Sequence, residues 1–114
     1  MILKAKVAYR LWHEYLNNFP KLYRYNLGAK IDSLFAEVLE LIFQASFSGE
    51  RGEKMTLISR SISKLNLLNF FLQIAWEHKY LDNKKYALLA ESLDEVGRML
   101  GGWRKQLSQK TPAN

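Results

Sequence analysis

Side chains that commonly carry catalysis or bind metals are sparse in this 114-residue sequence. Cysteine is absent, which excludes thiolate nucleophiles, disulfides and cysteine zinc sites. The two histidines, His13 and His78, lack the H-x-x-x-H and E-x-x-H spacings with which helices assemble metal sites. We therefore expect no catalytic residues, no metal and no cofactor, and we interpret His13 as a surface residue.

The carboxylates have structural explanations. Glu37 and Glu40 lie opposite an apolar stripe, which is typical of a solvated helix face. Asp94 precedes Arg98 by one helical turn, a spacing that suits a surface ion pair. The sequence also lacks a phosphate-binding G-x-x-x-x-G-K-[ST] loop and a helix-turn-helix spacing. By elimination, it is typical of a binding or scaffolding protein rather than an enzyme.

Positive charge is the strongest compositional feature. Seventeen Lys and Arg against eleven Asp and Glu give a net charge of +6, which favours nucleic acid, an acidic protein face or anionic lipid as partner. Residues 1–30 contain six of these bases and one acid, and the sequence from Arg98 onward contains four bases and no acid. Such faces could bind a phosphate backbone or pair with acidic faces of neighbouring subunits. The candidate binding residues are Lys4, Lys6, Arg10, Lys21, Arg24, Arg60, Lys64, Arg98, Arg104 and Lys105.

The elements that position these side chains are predicted to be helices. Apolar residues recur at steps of three and four, and prolines occur only at Pro20 and Pro112. We predict helices over about 2–18, 23–47, 53–79 and 83–107, followed by a disordered polar tail over 108–114. The expected fold is all-α, an antiparallel up-down-up-down four-helix bundle. No signal peptide or membrane-spanning run is evident, so we expect a cytoplasmic protein.

The apolar spacing also predicts which faces are buried. Asp82 is the expected N-cap of the last helix, whose inward residues should be Tyr86, Leu89, Leu93, Val96, Leu100, Trp103 and Leu107. The stripe expected on the first helix comprises Leu3, Val7, Ala8, Leu11, Trp12, Tyr15, Leu16 and Phe19.

The third helix has more apolar residues than one buried face needs. Its polar residues Asn66, Asn69, Gln73 and Glu77 form one narrow strip. Monomers rarely expose a large contiguous apolar surface, so we predict self-association; a central position in a thick bundle is the alternative. The predicted oligomer interface consists of Leu67, Phe70, Phe71 and Ile74.

Two glycines in the last helix suggest close packing. Gly97 and Gly101 lie one turn apart beside the apolar stripe, and each costs about 1 kcal/mol of helix propensity relative to alanine. We interpret them as sites where a neighbouring helix, or a large ring such as that of Trp103, approaches the backbone. Gly28 invites the same interpretation.

Two segments carry a resemblance to a known family. They are FPKLYRYNLGAKI at 19–31 and LDEVGRMLGGW at 93–103. Both resemble the Avd family, the accessory variability determinants of diversity-generating retroelements, and the closing E-x-G-R-x-L-G-x-W pattern is the more specific. Proteins encoded in ribosomal-RNA intervening sequences belong to the same superfamily but usually carry an S-I-x-x-N-I-x-E-G-like segment. The matching region here is AEVLEL at 36–41, which favours the retroelement branch.

The resemblance implies a function as well as a fold. Avd proteins are four-helix bundles that form barrel-shaped homopentamers with basic surfaces. They associate with the element's reverse transcriptase and with nucleic acid during mutagenic retrohoming. The resemblance therefore implies a non-catalytic accessory protein with the reverse transcriptase, RNA or DNA, and further copies of itself as partners. A helical scaffold with no nucleic-acid role remains the alternative.

Overall fold

The computed structural model describes residues 2–109, and within that range the chain is helical and contains no strand. The elements are α1 (Ile2–Leu16), α2 (Lys21–Tyr23), a π-helical turn (Arg24–Gly28), α3 (Ala29–Phe47), α4 (Arg51–Glu77) and α5 (Asn83–Gln109). Since α2 and the π-helical turn lead directly into α3, the long elements are those of a four-helix bundle, as predicted. Helix α5 ends two residues beyond the expected boundary, and 110–114 of the predicted tail lie outside the described residues.

The bundle is elongated, with dimensions of 56 × 22 × 20 Å. Helix α3 packs on α4, α4 packs on α5, and α1 packs on both α5 and α3. Tyr15 near the end of α1 lies against Lys85 near the start of α5, and Lys4 lies against Glu95. Helix α1 is therefore antiparallel to α5. No helix in the range 2–109 is long and apolar enough to cross a membrane.

Side-chain caps set the starts of the two longest helices. Asp82 Oδ1 accepts a hydrogen bond from the Lys85 amide at 2.8 Å, which confirms the predicted N-cap of α5. The cap of α4 was not predicted. There the Glu50 carboxylate accepts hydrogen bonds from the amides of Gly52 and Glu53 at 2.8 and 2.9 Å, so the helix begins at Arg51 rather than near Glu53.

Helix α4 ends in a Schellman motif. The Lys79 amide donates to the Trp76 carbonyl and the Tyr80 amide donates to the Ala75 carbonyl, both at 2.9 Å. Lys79 occupies the left-handed position of this motif, with a φ of 65°. Glycine is the usual residue there, because a β-carbon strains the left-handed conformation.

Four of the seven inward residues predicted for α5 are buried and the other three are half-buried, whereas the stripe predicted for α1 is only partly buried. Leu89, Leu93, Val96 and Leu100 of α5 are buried. In α1, by contrast, Leu3 and Val7 are 70% and 57% exposed. The buried residues of α1 are Ala5, Ala8, Trp12 and Tyr15. The Trp12 indole packs against Phe19 and Phe35, with ring centroids 5.4 and 6.0 Å apart.

Helix α1 is shorter than the two helices on which it packs. It has 15 residues, whereas α3 has 19 and α5 has 27. Tyr9 packs against Phe35, and α1 and α3 are antiparallel, so the start of α1 lies near the level of Phe43. The last turn of α3 therefore extends past α1. There Phe43 and Phe47 pack on one another, with ring centroids 4.7 Å apart, and remain 56% and 75% exposed.

Candidate nucleic-acid interface

Two predicted cations lie on the outer face of α1. Lys6 and Arg10 are exposed, and neither forms an ion pair with any residue in the range 2–109. Helical spacing places them beside the exposed Leu3 and Val7. Lys4 differs from them because its Nζ lies 2.7 Å from Glu95 Oε1 of α5. The outer face of α1 thus presents cations and apolar side chains together.

The second predicted group lies in the last turns of α5. Arg104 and Lys105 are exposed and form no ion pair within the described part of the chain. Arg98 is bound to Asp94 one turn earlier, as the spacing predicted. Because α1 begins near Glu95, these two cations lie roughly 14 Å further along α5. The structure makes α1 and α5 neighbours but separates their unpaired cations.

The remaining predicted cations are Arg24, Arg60, Lys64 and Lys21, and the first three lie against other residues of the bundle. Arg24 donates hydrogen bonds to the carbonyls of Phe19 at 3.1 Å and Asn17 at 2.7 Å, which fixes the connection after α1. Lys64 forms a 2.9 Å ion pair with Glu37 of α3. The same side of the bundle has a small groove in which Arg60 lies with Glu37, Glu40, Leu41 and Gln44. Lys21, near the start of α2, is exposed.

The predicted apolar face of α4 is divided in two. Phe70 is 55% exposed and lines a groove between α4 and α5. Phe71 and Ile74 are half-buried on the side of the π-helical turn. Leu67 is 37% exposed. The four residues therefore do not form one exposed face, because α3 and the π-helical turn cover part of it.

Close packing occurs at only some of the predicted glycines. A β-carbon on Gly28 would lie 2.8 Å from Leu16 Cδ1 and 3.3 Å from the Tyr23 carbonyl oxygen. On Gly97 it would meet Leu65 Cδ2 at 3.4 Å, a single side-chain contact. Within 2–109 nothing lies within 4 Å of that position on Gly101, so the close packing predicted there is absent. Trp103 is half-buried, and Lys54 Nζ lies 6.0 Å from its ring centroid.

A groove that the sequence did not predict lies between the π-helical turn and the end of α4. We call it the π-turn groove; its volume is about 420 Å³. Tyr23 stacks on Tyr80 with ring centroids 4.5 Å apart, and Lys30 Nζ lies 5.8 Å from the Phe71 ring centroid. The π-turn groove is lined by Tyr23, Asn26, Leu27, Lys30, Phe71, Ile74, His78 and Tyr80.

Tyr23 affects the ionisation of Tyr80, on which it stacks. Partial burial, together with hydrogen bonding and proximity to Tyr23, raises the pKa of Tyr80 above its usual value. The Tyr80 phenol is therefore uncharged at neutral pH.

No linear motif identifies the two tyrosines, because they lie 57 positions apart and only the fold brings them together.

The groove between α4 and α5 has a different character. It is lined by Asn66, Asn69, Phe70, Gln73, Tyr86, Ala90, Glu91 and Asp94. The polar strip of α4 that the sequence predicted thus faces α5 and two acidic side chains.

No group of three or more His, Cys, Asp or Glu side chains able to hold a metal ion occurs among residues 2–109.

The fold and these surfaces define a small, basic four-helix-bundle protein with open grooves and unpaired cations. A family model described as bAvd-like matches residues 2–107. The chain therefore belongs to the bAvd-like family, in agreement with the resemblance seen at 19–31 and 93–103. Among curated proteins, no match to the sequence is found.

Proposed function

We propose that this protein is a non-catalytic accessory subunit of a diversity-generating retroelement. In this function it binds RNA or DNA and the element's reverse transcriptase during mutagenic retrohoming. The family match over residues 2–107 is the observation that carries the proposal. Its action is to hold nucleic acid on cationic surfaces and to contact the polymerase.

The distribution of unpaired cations supports nucleic-acid binding. Lys6 and Arg10 on α1, and Arg104 and Lys105 on α5, are exposed and unpaired within the described part of the chain. Lys and Arg at such positions neutralise phosphates and release condensed counterions. These contacts do not distinguish one sequence from another. Binding should therefore be independent of the nucleic-acid sequence and strongly dependent on salt concentration.

The exposed apolar side chains support self-association, which we propose yields a homopentamer. Leu3, Val7, Phe43, Phe47 and Phe70 are each more than half exposed. Large exposed apolar surfaces typically mark protein contacts. The same residues provide candidate surfaces for the reverse transcriptase.

A salt series tests the proposal directly. Affinity for a single-stranded RNA should fall linearly on a log–log plot as salt increases. Reversing Arg104 and Lys105 to glutamate should weaken binding equally for all RNA sequences and flatten the slope by about one unit for each lost phosphate contact. The matched control compares two single charge reversals, Arg104→Glu and Lys84→Glu. Lys84 is an exposed lysine at the opposite end of α5, so Lys84→Glu should affect RNA binding less than Arg104→Glu.

The exposed apolar residues also favour a second candidate function, a helical scaffold whose charge serves assembly. In that case the double reversal at Arg104 and Lys105 would break the oligomer, while RNA affinity and its salt slope stayed unchanged. Such a result would replace the nucleic-acid proposal with the scaffold.

A further inference from the structure

We infer that the π-turn groove accommodates an unpaired nucleobase of a bound single strand, with the adjacent phosphate held by Lys30. This inference rests on the proposed nucleic-acid binding and deepens it by naming a site and a strand type. Its basis is the combination of aromatic rings, amide and imidazole groups and a flexible cation in one concave surface.

The aromatic lining offers a stacking surface. Tyr23 and Tyr80 stack at an interplanar angle of 24°, and the His78 ring stacks on Tyr80 with centroids 5.6 Å apart. Phe71 of α4 also lines the groove and is only half-buried. Bases stack on such rings irrespective of sequence, since every base has a π-face. An unstacked base supplied by a single strand is therefore a suitable occupant.

Polar groups in the groove could contact the edge of the base. The Asn26 side-chain oxygen accepts a hydrogen bond from the Leu27 amide, which orients the side chain and leaves its NH₂ group free to donate. His78 is exposed at the end of α4. These groups would favour a heterocycle with acceptor atoms over a purely apolar ligand.

Charge distinguishes this groove from two others in the molecule. None of its eight lining residues is acidic, and it contains Lys30. The groove between α4 and α5 contains Glu91 and Asp94, and the small groove at Arg60 contains Glu37 and Glu40. Carboxylates repel a phosphate chain. Electrostatic complementarity therefore favours the π-turn groove over these two for an anionic strand. A further groove, lined by Met55, Thr56, Ser59, Arg60 and Ser63, also lacks acidic residues but has no aromatic ring on which a base could stack.

Lys30 is placed to bind the phosphate. Its ammonium group lies over the Phe71 ring, 5.8 Å from the centroid, and forms no ion pair among residues 2–109. A lysine held only by a ring at this distance can swing toward a phosphate at small cost. Lys79, exposed and next to His78 in the sequence, adds positive charge nearby.

The π-helical turn explains why the groove exists. A π turn inserts one extra residue into a helix, and such turns are frequent at functional sites. Here the turn spans Arg24–Gly28 and carries Asn26 and Leu27, while Gly28 at its end packs against Leu16. The turn and the end of α4 thus form the two walls of the groove.

Fluorescence of a labelled oligonucleotide tests the inference. The probe is a twelve-nucleotide oligouridylate with one central 2-aminopurine, whose emission is quenched when the base stacks on an aromatic ring. The wild-type protein should quench it on binding. Asn26→Trp should fill the groove and lower affinity about ten-fold, the loss expected for one stacked base.

A matched variant and a second substitution control for folding and charge. Gln73→Trp places the same ring on the exposed, opposite side of α4, in the α4–α5 groove, and should leave affinity unchanged. Lys30→Gln, at an exposed site, should keep the fold and flatten the salt slope by about one unit. Lys84→Gln should leave that slope unchanged.

The outcomes separate this inference from the proposed function. If the wild-type protein bound the oligonucleotide, but Asn26→Trp left affinity unchanged and Lys30→Gln left the salt slope unchanged, the groove assignment would be overturned and nucleic-acid binding would stand. If the wild-type protein bound no nucleic acid, both would be overturned. If Asn26→Trp abolished only reverse-transcriptase binding, the groove would belong to a protein partner and the inference would be wrong.

Discussion

Lys4 of α1 and Glu95 of α5 form an ion pair, with 2.7 Å between Nζ and Oε1. Both side chains are about half exposed, so solvent screens the pair and its contribution to stability is small. Its importance is positional. The contact shows where α1 lies along α5. It also neutralises Lys4, one of the cations that the sequence predicts to bind nucleic acid.

Neutralising Lys4 should therefore affect RNA binding less than neutralising Lys6. Lys6→Gln removes a positive charge that has no ion-pair partner among residues 2–109, whereas Lys4→Gln removes one that Glu95 already balances. We expect Lys6→Gln to reduce the salt slope by up to about one unit and Lys4→Gln to change it little. Filter-binding titrations at several salt concentrations measure this difference. Equal effects of the two substitutions would show that the ion pair opens when RNA binds.

Arg24 should act on stability rather than on RNA. It donates to two backbone carbonyls, those of Asn17 and Phe19. Arg24→Ala leaves these acceptors without that donor and should lower the free energy of unfolding by about 1–2 kcal/mol. Lys21→Ala, at an exposed neighbouring site, should cost under about 0.5 kcal/mol. Chemical denaturation compares them; equal stabilities would contradict a structural role for Arg24.

The glycines should respond in opposite directions. Gly101→Ala adds a methyl group in open space and should raise stability by up to about 1 kcal/mol through helix propensity. Gly28→Ala places a methyl group against Leu16 and the Tyr23 carbonyl and should instead cost about 1–2 kcal/mol. Thermal unfolding monitored by circular dichroism tests both. A Gly101→Ala variant that folds normally but loses its oligomeric state would place Gly101 in a contact between chains.

Replacing Lys79 by glycine should stabilise the protein. Lys79 holds a φ of 65° at the end of α4, a conformation that glycine adopts without strain. We expect a gain of about 1 kcal/mol in the free energy of unfolding. Ala36→Gly, at an exposed position within α3, is the control and should lose about 1 kcal/mol. A loss of stability on Lys79→Gly would show that the lysine side chain outweighs the backbone strain.

Sedimentation equilibrium should give the mass of five chains at micromolar concentration. Polar substitutions at exposed apolar sites then locate the contact without disturbing the core. Phe70→Ser tests the surface of α4 that the sequence predicted, and Phe47→Ser tests the end of α3 that α1 leaves uncovered. The substitution that lowers the mass identifies the interface. A mass near one chain for the wild-type protein would contradict self-association altogether.

The sequence by itself determined the fold class and much of the helical layout. In α5 the large apolar residues repeat at steps of three and four, so the buried residues Leu89, Leu93, Val96 and Leu100 could be read directly. The Asp82 cap was equally local, because a side chain and an amide three residues later form it. The resemblance at 19–31 and 93–103 also identified the family that the match over 2–107 shows.

Only the tertiary structure decided which side chains are free or covered. Leu3 and Val7 belong to the apolar stripe predicted for α1, yet they are exposed, whereas Ala5 and Ala8 are buried. Packing against α3 and α5 depends on side-chain volume as well as on hydrophobicity. Phe43 lies on α3 yet is more than half exposed. The π-turn groove combines segments far apart in the sequence. The spacing of apolar residues predicts which residues share a face of one helix. Ion pairs, side-chain exposure and grooves depend instead on which side chains the other helices place against that face.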